Sequence, residues 1–282
     1  ALDLQTGTEA WRFRGGLDGR RVLGNGRLAS AWCARGGPVI VDGTVCFGAG
    51  IWPFMGTFIH RLDAATGRPV WTQDTLGDIY SDQPHGGASA FGGVAPQGAL
   101  AAAGDSLVVP NGRSVPAVLD LADGSLRVFK LAGSSYHEIG GSVDRKLEGG
   151  AGIITDGRFL LNVRGLSTAL YDLASGDAFL QWRGTFNPVL ADGMLYLGGS
   201  SIQAFRLADL RQETYEVQQQ DRATGEVRTV QRKRWALPVA WELPVDATGA
   251  LILAGHRLYA GRRDAVAVIG LDGDSPALAG EL

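Results

Sequence analysis

The chain of 282 residues carries 26 Lys and Arg against 29 Asp and Glu, a formal charge of −3, and 42 glycines against 11 prolines with 45% apolar residues. That balance makes no single-sign field, so neither nucleic acid nor an acidic membrane is favoured as a general partner. No apolar run approaches the roughly 18 residues that a membrane span needs. The glycine content, with no sustained helical period, points instead to many tight turns and short buried strands.

Residues 1–13 read as the last half of a repeat: a strand ending at Leu4, a turn at Thr6-Gly7 and an outer strand from Glu9 to Phe13. A connection rich in Gly and Arg fills 14–36. The stretch from Gly37 to Trp71 is then the first full repeat, with apolar runs at Pro38 to Val41, Val45 to Gly48, Phe58 to Leu62 and Pro69 to Trp71. Asp42-Gly43 and Ala64-Ala65-Thr66-Gly67 separate the runs. Both are turn sequences in which glycine supplies positive φ and Asp or Thr bonds the local backbone, so the unit is predicted to be a four-stranded antiparallel meander.

The same punctuation recurs as Leu-Asp, a short spacer, Gly, then a bulky apolar residue. Leu2-Asp3 with Gly7 and Trp11 is one copy, and Leu62-Asp63 with Gly67 and Trp71 a second. Leu119-Asp120 with Gly124 and Phe129 is a third, and Tyr171-Asp172 with Gly176 and Trp182 a fourth. This places Trp11, Trp71, Phe129 and Trp182 at equivalent outer-strand positions, packed between neighbouring repeats. Further repeats run over 98–131, 149–182, from 187 onward and over 246–282. Self-similarity of this kind predicts an all-β fold, a β-propeller of four-stranded antiparallel blades with about five full blades and a half blade. The chain reads as one partial domain, a fragment of a seven- to eight-bladed propeller whose arc stays open beside the half blade. Residues 211–234, polar and alternating around another turn of the same type, read as a β-ribbon inserted in blade four.

In such meanders the loops from strand two to strand three, and the connections between blades, emerge at one end. All the long irregular segments here are of those two kinds: 14–36, 74–97, 132–148 and the loop Gly50 to Gly56. Binding usually resides on loops of that sort, held by a rigid scaffold. Compared blade by blade, the strand-two to strand-three loops offer Trp52 and Phe54, then Asn111 and Arg113, Arg164, Ser200 and Ser201, and Arg262 beside Arg263. Converging guanidinium groups suit a carboxylate, a sulfate or a sugar acid. Trp52 and Phe54 either stack on a sugar ring or plug the channel. Of these, Trp52, Phe54, Asn111, Arg113, Arg164 and Arg262 are the candidate ligand-binding residues.

His85 lies in one long connection, with Tyr80, and His137 in the other, between Tyr136 and Glu138. If the two connections meet, a His, Tyr and Glu set could move a proton, which makes Tyr80, His85, Tyr136 and His137 the catalytic candidates. His60 alternates with Phe58 and Leu62 and looks structural, as does His256. No metal site is expected, since the four histidines are scattered and Cys33 and Cys46 lack zinc spacing. Those cysteines stand as two buried thiols or as a strand-to-strand disulfide. No GxSxG, HExxH or Walker loop is present.

The runs LDAATGRPVW and ALDLQTGTEAWRF resemble the repeat of bacterial pyrroloquinoline-quinone-like propellers, shared by quinoprotein alcohol dehydrogenases and the lipoprotein of the outer-membrane barrel-insertion machinery. More narrowly, GAGIWPFMGTFIHRLDAATG and the run from Gln83 to Asp120 look like planctomycete-type envelope proteins with quinone-binding-like propellers. The resemblance implies a propeller that acts in the periplasm or otherwise outside the cytoplasm. In its enzymes it also implies a quinone over a vicinal disulfide, with a metal held by Glu, Asn and Asp. This chain has no adjacent cysteine pair and no matching cluster, so no cofactor, pyrroloquinoline quinone included, is expected. The function expected is a non-catalytic scaffold that binds a ligand or protein partner through the decorated face, beside further blades or domains of a parent chain. The alternative is an enzyme on that face, a quinone-dependent oxidoreductase or a polysaccharide lyase.

Overall fold

Short runs of β-branched and aromatic residues between Asp and Gly turns can satisfy their backbone only by pairing with their neighbours in the chain, and they do so here. The computed structural model describes residues 1–24, 26–82, 89–112, 114–130, 137–139, 142–145, 149–220, 224–272 and 276–282, with the backbone alone for 81, 82, 137–139, 142–145 and 186. The fold is all-β, and the described residues form five four-stranded antiparallel sheets of propeller-blade type.

The first blade comprises Ala34–Val41, Thr44–Ala49, Phe58–Asp63 and Pro69–Gln73, and the second Ala101–Ala103, Ser106–Asn111, Ser114–Asp120 and Leu126–Val128. The third has strands Gly152–Thr155, Phe159–Arg164, Ser167–Asp172 and Ala178–Arg183. The fourth takes Phe186–Ala191, Met194–Gly198, Ile202–Arg206 and Val239–Leu243; the fifth takes Ala250–Ala254, Arg257–Gly261, Val266–Gly270 and Ala277–Glu281. Backbone contacts divide the chain into two units, Ala1–Ser135 with Lys146–Arg164 and Asp172–Asp177, and Tyr136–Arg145 with Gly165–Tyr171 and Ala178–Leu282. The dividing line passes through the third blade.

Two backbone features repeat in every blade. The residue after the third strand donates its N–H back over the first turn: Ala64 to Gly43 O, Leu121 to Asp105 O, Leu173 to Arg158 O, Leu207 to Gly193 O and Leu271 to His256 O. The pairing of strands three and four then slips at one place, at Arg61/Leu62, Val118/Leu119, Leu170/Tyr171, Ala204/Phe205 and Val268/Ile269. A bulge at that point bends the outer strand and increases its twist. Both features recur at equivalent places in all five blades, whatever side chains stand there.

The second turn is closed by aspartate in four copies. Asp63 Oδ1 accepts from both the N–H and the Oγ1 of Thr66 at 2.7 Å, and Gly67 N–H donates to Asp63 O at 2.9 Å. Asp3 does the same with Thr6 and Gly7, while Asp120 and Asp172 use Ala122 and Ser175 with Gly124 and Gly176. The hydroxyl and amide bonds from Thr6 and Thr66 hold the Asp3 and Asp63 carboxyls below their ordinary value.

Within the first unit, three of these turn glycines, Gly67, Gly124 and Gly176, each receive a side chain of the preceding outer strand. Trp11 Nε1 donates to Ala64 O at 3.0 Å and its ring covers Gly67. Trp71 Nε1 donates to Leu121 O at 3.0 Å and its ring covers Gly124, where a Cβ would lie 2.8 Å from the indole. Arg61 Nη1 reaches the same Leu121 carbonyl at 2.7 Å. At the third junction the residue is Val128, set over Gly176, with Lys130 Nζ bonded to Asp177 at 2.5 Å. Phe129 is therefore not the counterpart of Trp71. Cross-strand register corrects Trp182 too: Arg61 pairs with Trp71, Val118 with Val128, Leu170 with Leu180 and Ala204 with Trp241. Trp182 instead lies against Phe205, with ring centroids 5.4 Å apart.

The cores lie between blades. Cys46 and Ile59 of the first blade meet Leu107 and Leu119 of the second, and Ile202 and Ala204 of the fourth meet Leu258 and Ile269 of the fifth. A ribbon of Arg211–Gln220 and Val227–Ala236 leaves the fourth blade between its third and fourth strands. Trp235 at its base packs edge-on against Phe179, 4.7 Å between centroids.

Candidate functional site

In the first unit the loop-bearing end of the blades is built on Trp32. This ring is 5% exposed, meets Phe58 edge-on at 6.5 Å, and donates from Nε1 to Met55 O at 2.8 Å. Gly50 N–H is bonded to Cys33 O at 3.0 Å, so the loop between strands two and three is held at its start and at its end. Between those points lies a 3-10 turn, Pro53–Met55, whose proline presets the first helical φ. The connection that follows the blade is laid against this turn. Thr57 Oγ1 donates to Val94 O at 2.7 Å, Val94 N–H donates to Leu76 O at 2.9 Å, and a Cβ on Gly77 would stand 2.4 Å from Pro53 O.

On this support Trp52 and Phe54 face outward, 56% and 67% exposed, their rings 6.2 Å apart and within 21° of parallel. A plug would bury both rings, and they are open. Tyr80 stands opposite Phe91 across a small hairpin, Tyr80–Asp82 with Ser89–Phe91, the two rings edge-on at 5.2 Å. Both are half-exposed or more. Of the proposed catalytic set, Tyr80 thus sits in an aromatic pair and His137 lies in a strand, His137–Ile139, known by its backbone. His85, Tyr136 and Arg113 lie outside the described residues.

Asn111, Arg164 and Arg262 each follow the aligned turn carbonyl by the same six positions, so they occupy one place in three blades. Their surroundings differ. Asn111 is 3% exposed, and its Oδ1 accepts from Ala95 N–H at 2.7 Å, which straps the 92–97 segment to the second blade. Its Nδ2 has no partner among the described residues. Arg164 is exposed. Arg262, in the second unit, pairs with Glu281 at 2.8 Å. Ser201 Oγ is bonded to Glu242 at 2.5 Å.

His60 is structural. It is 3% exposed, with Nδ1 2.9 Å from Thr72 Oγ1 and Nε2 2.9 Å from Gly15 O. Because a carbonyl can only accept, Nε2 carries the proton and Nδ1 accepts from Thr72. Burial lowers its affinity for a second proton, against the opposing pull of the Gly15 carbonyl and Asp74. Cys33 and Cys46 are free thiols, and burial pushes the Cys46 thiol up to about 11 against the pull of Arg61. Among the described residues no group of three or more His, Cys, Asp and Glu is placed to hold a metal ion.

The long connections, irregular by their sequence, hold paired strands: Tyr80–Asp82 with Ser89–Phe91 in 74–97, and His137–Ile139 with Ser142–Arg145 in 132–148. The 14–36 connection contains a hairpin, Arg21–Gly24 with Arg27–Ser30. Its signal was Asn25-Gly26 between Val22-Leu23 and Leu28-Ala29, an Asn-Gly turn flanked by apolar pairs.

No protein-family model matches the chain, and no curated protein matches it. Among solved structures it is similar to BamB from Moraxella catarrhalis, with 15% identity over 90% of this chain and 79% of that one, TM-score 0.43. It is similar to the quinohemoprotein alcohol dehydrogenase ADHIIG from Pseudomonas putida HK5, with 13% identity over 99% of this chain, TM-score 0.49. A europium-containing methanol dehydrogenase shows 11% identity over 99% of this chain, TM-score 0.46. The chain spans 55% of the alcohol dehydrogenase and 65% of the methanol dehydrogenase. No helix among the described residues is long and apolar enough to cross a membrane.

Proposed function

We propose that this chain is a non-catalytic propeller scaffold, working outside the cytoplasm, that binds a ligand or protein partner through the loop-bearing end of its blades. One observation carries the reading: Trp52 and Phe54 are held side by side and open on a turn whose backbone is bonded to Trp32 beneath it. Large exposed aromatic area on a rigid support is characteristic of a recognition surface, because little conformational freedom is lost when a partner covers it. The setting outside the cytoplasm rests on the sequence resemblance alone, as does the narrower likeness to planctomycete-type proteins.

The test has two arms. A benzophenone side chain at position 52 should give a discrete adduct in the native host, whereas one at position 40 should give none. Ile40 is more open than Trp52, at 74%, but lies by the Asp42-Gly43 turn. Titration with pyrroloquinoline quinone and calcium, followed by tryptophan fluorescence, should show no saturable binding. Adducts at both positions or at neither, or sub-micromolar quinone binding, would overturn the reading.

A further inference from the structure

The hairpin of Arg21–Gly24 with Arg27–Ser30 breaks the rule that governs two-sided strands. Alternation sends Val22 inward, onto the cluster of Ala31, Trp32, Ala49 and Phe58 that Met55 also packs against. The outward positions should then be polar. Arg21 and Ser30 are, but the pair between them and the turn is Leu23 and Leu28, directly opposite one another in the register and 76% and 66% exposed. Two large aliphatic side chains paired on the solvent face of a short hairpin gain nothing from folding.

The charge around them is as uneven. Residues 14–30 hold four arginines against one aspartate, in a chain whose formal charge is −3. Asp18 pairs with Arg20, and Arg14, Arg21 and Arg27 have no carboxylate partner among the described residues. Val22 and Met55 pack on the same Trp32 cluster, so the hairpin and the loop that carries Trp52 and Phe54 share one support. A balanced total charge thus conceals a local basic surface.

Resting on the scaffold reading and naming its partner, we propose that the hairpin and the aromatic ridge dock together on an anionic lipid surface. Arginines reach lipid phosphates, indole and phenyl rings settle at headgroup depth, and leucines enter the acyl boundary. The same composition argues against a second copy as occupant, since hairpins packed leucine face to leucine face would each carry Arg21 into the interface.

The intact chain should co-float with vesicles of phosphatidylcholine mixed with phosphatidylglycerol, and not with phosphatidylcholine alone. Arg21→Glu with Arg27→Glu should weaken that binding on the order of tenfold or more at low salt, each charge contributing near the surface. Leu23→Ser with Leu28→Ser should weaken it similarly while leaving the urea midpoint unchanged, which separates docking from folding. Absence of binding to the mixed vesicles overturns the proposal, as does equal binding to both kinds. So does a Leu-to-Ser pair that splits a dimer without altering flotation. A failure here with the adduct at position 52 intact removes the lipid and leaves the scaffold. Loss of that adduct, or quinone binding, removes the scaffold reading itself.

Discussion

The two ends of the first blade use tryptophan for opposite purposes. At the turn end Trp71 is spent on cohesion, its indole N–H bonded to Leu121 O and its ring laid over Gly124 of the next blade. At the loop end Trp52 is 56% exposed, and it is another tryptophan, Trp32, that holds the loop from below. The difference teaches that residue type alone does not tell structure from recognition. What decides is whether a backbone acceptor and a bare glycine stand where the ring must go.

The contrast can be broken most sharply at the junction. Trp71→Ala should cost about 3 kcal/mol in urea unfolding, the low end for a large aromatic because the ring is partly exposed. A loss below about 1 kcal/mol would mean the junction does not depend on it. Gly124→Ala should cost about 2 kcal/mol, since φ there is +76° and the new methyl would press on the Trp71 ring. In the double variant the two costs should add to less than their sum, because the steric part vanishes with the indole.

Two pH effects sharpen the comparison further. His60, buried and neutral, takes its proton less readily in the folded chain than its ordinary 6.5, so the unfolded state gains protons first as pH falls. Stability should fall as pH drops through about 6.5, and His60→Gln should flatten that slope between pH 7 and 5. The depressed Asp3 and Asp63 carboxyls act lower. Their contribution is complete above the ordinary carboxylate value and is lost as pH falls through their folded values. Asp63→Asn should reduce the acid sensitivity below about pH 4. An unchanged acid limb would show that the turn does not depend on the ionised form.

The turn end was legible in the sequence because its chemistry is local. Asp63, Thr66 and Gly67 make their own bonds within five residues, and the four strands of the first blade follow from that punctuation. The inter-blade contacts were legible only in part. Trp11 and Trp71 stand four residues after their turn glycines, and Val128 and Leu180 keep that spacing. The aromatic residues Phe129 and Trp182 drew the assignment away from it. Ring size points to Phe129 and Trp182, whereas the bulge between strands three and four sets the position at Val128 and Leu180. The loop end was least legible. How Trp52 is presented depends on the bonds of Trp32 to Met55 and of Thr57 to Val94, which join its loop to two other segments. Asn111 was singled out beside Arg113, yet its carboxamide oxygen serves the Ala95 backbone.

The central claim, that the aromatic ridge exists for recognition and not for cohesion, is tested most directly by the smallest expected effect. Equilibrium urea unfolding of the Trp52→Ser with Phe54→Ser variant should fall within about 0.5 kcal/mol of the parent, as for surface changes in general. A loss comparable to that of Trp71→Ala would contradict it and make the ridge part of the core.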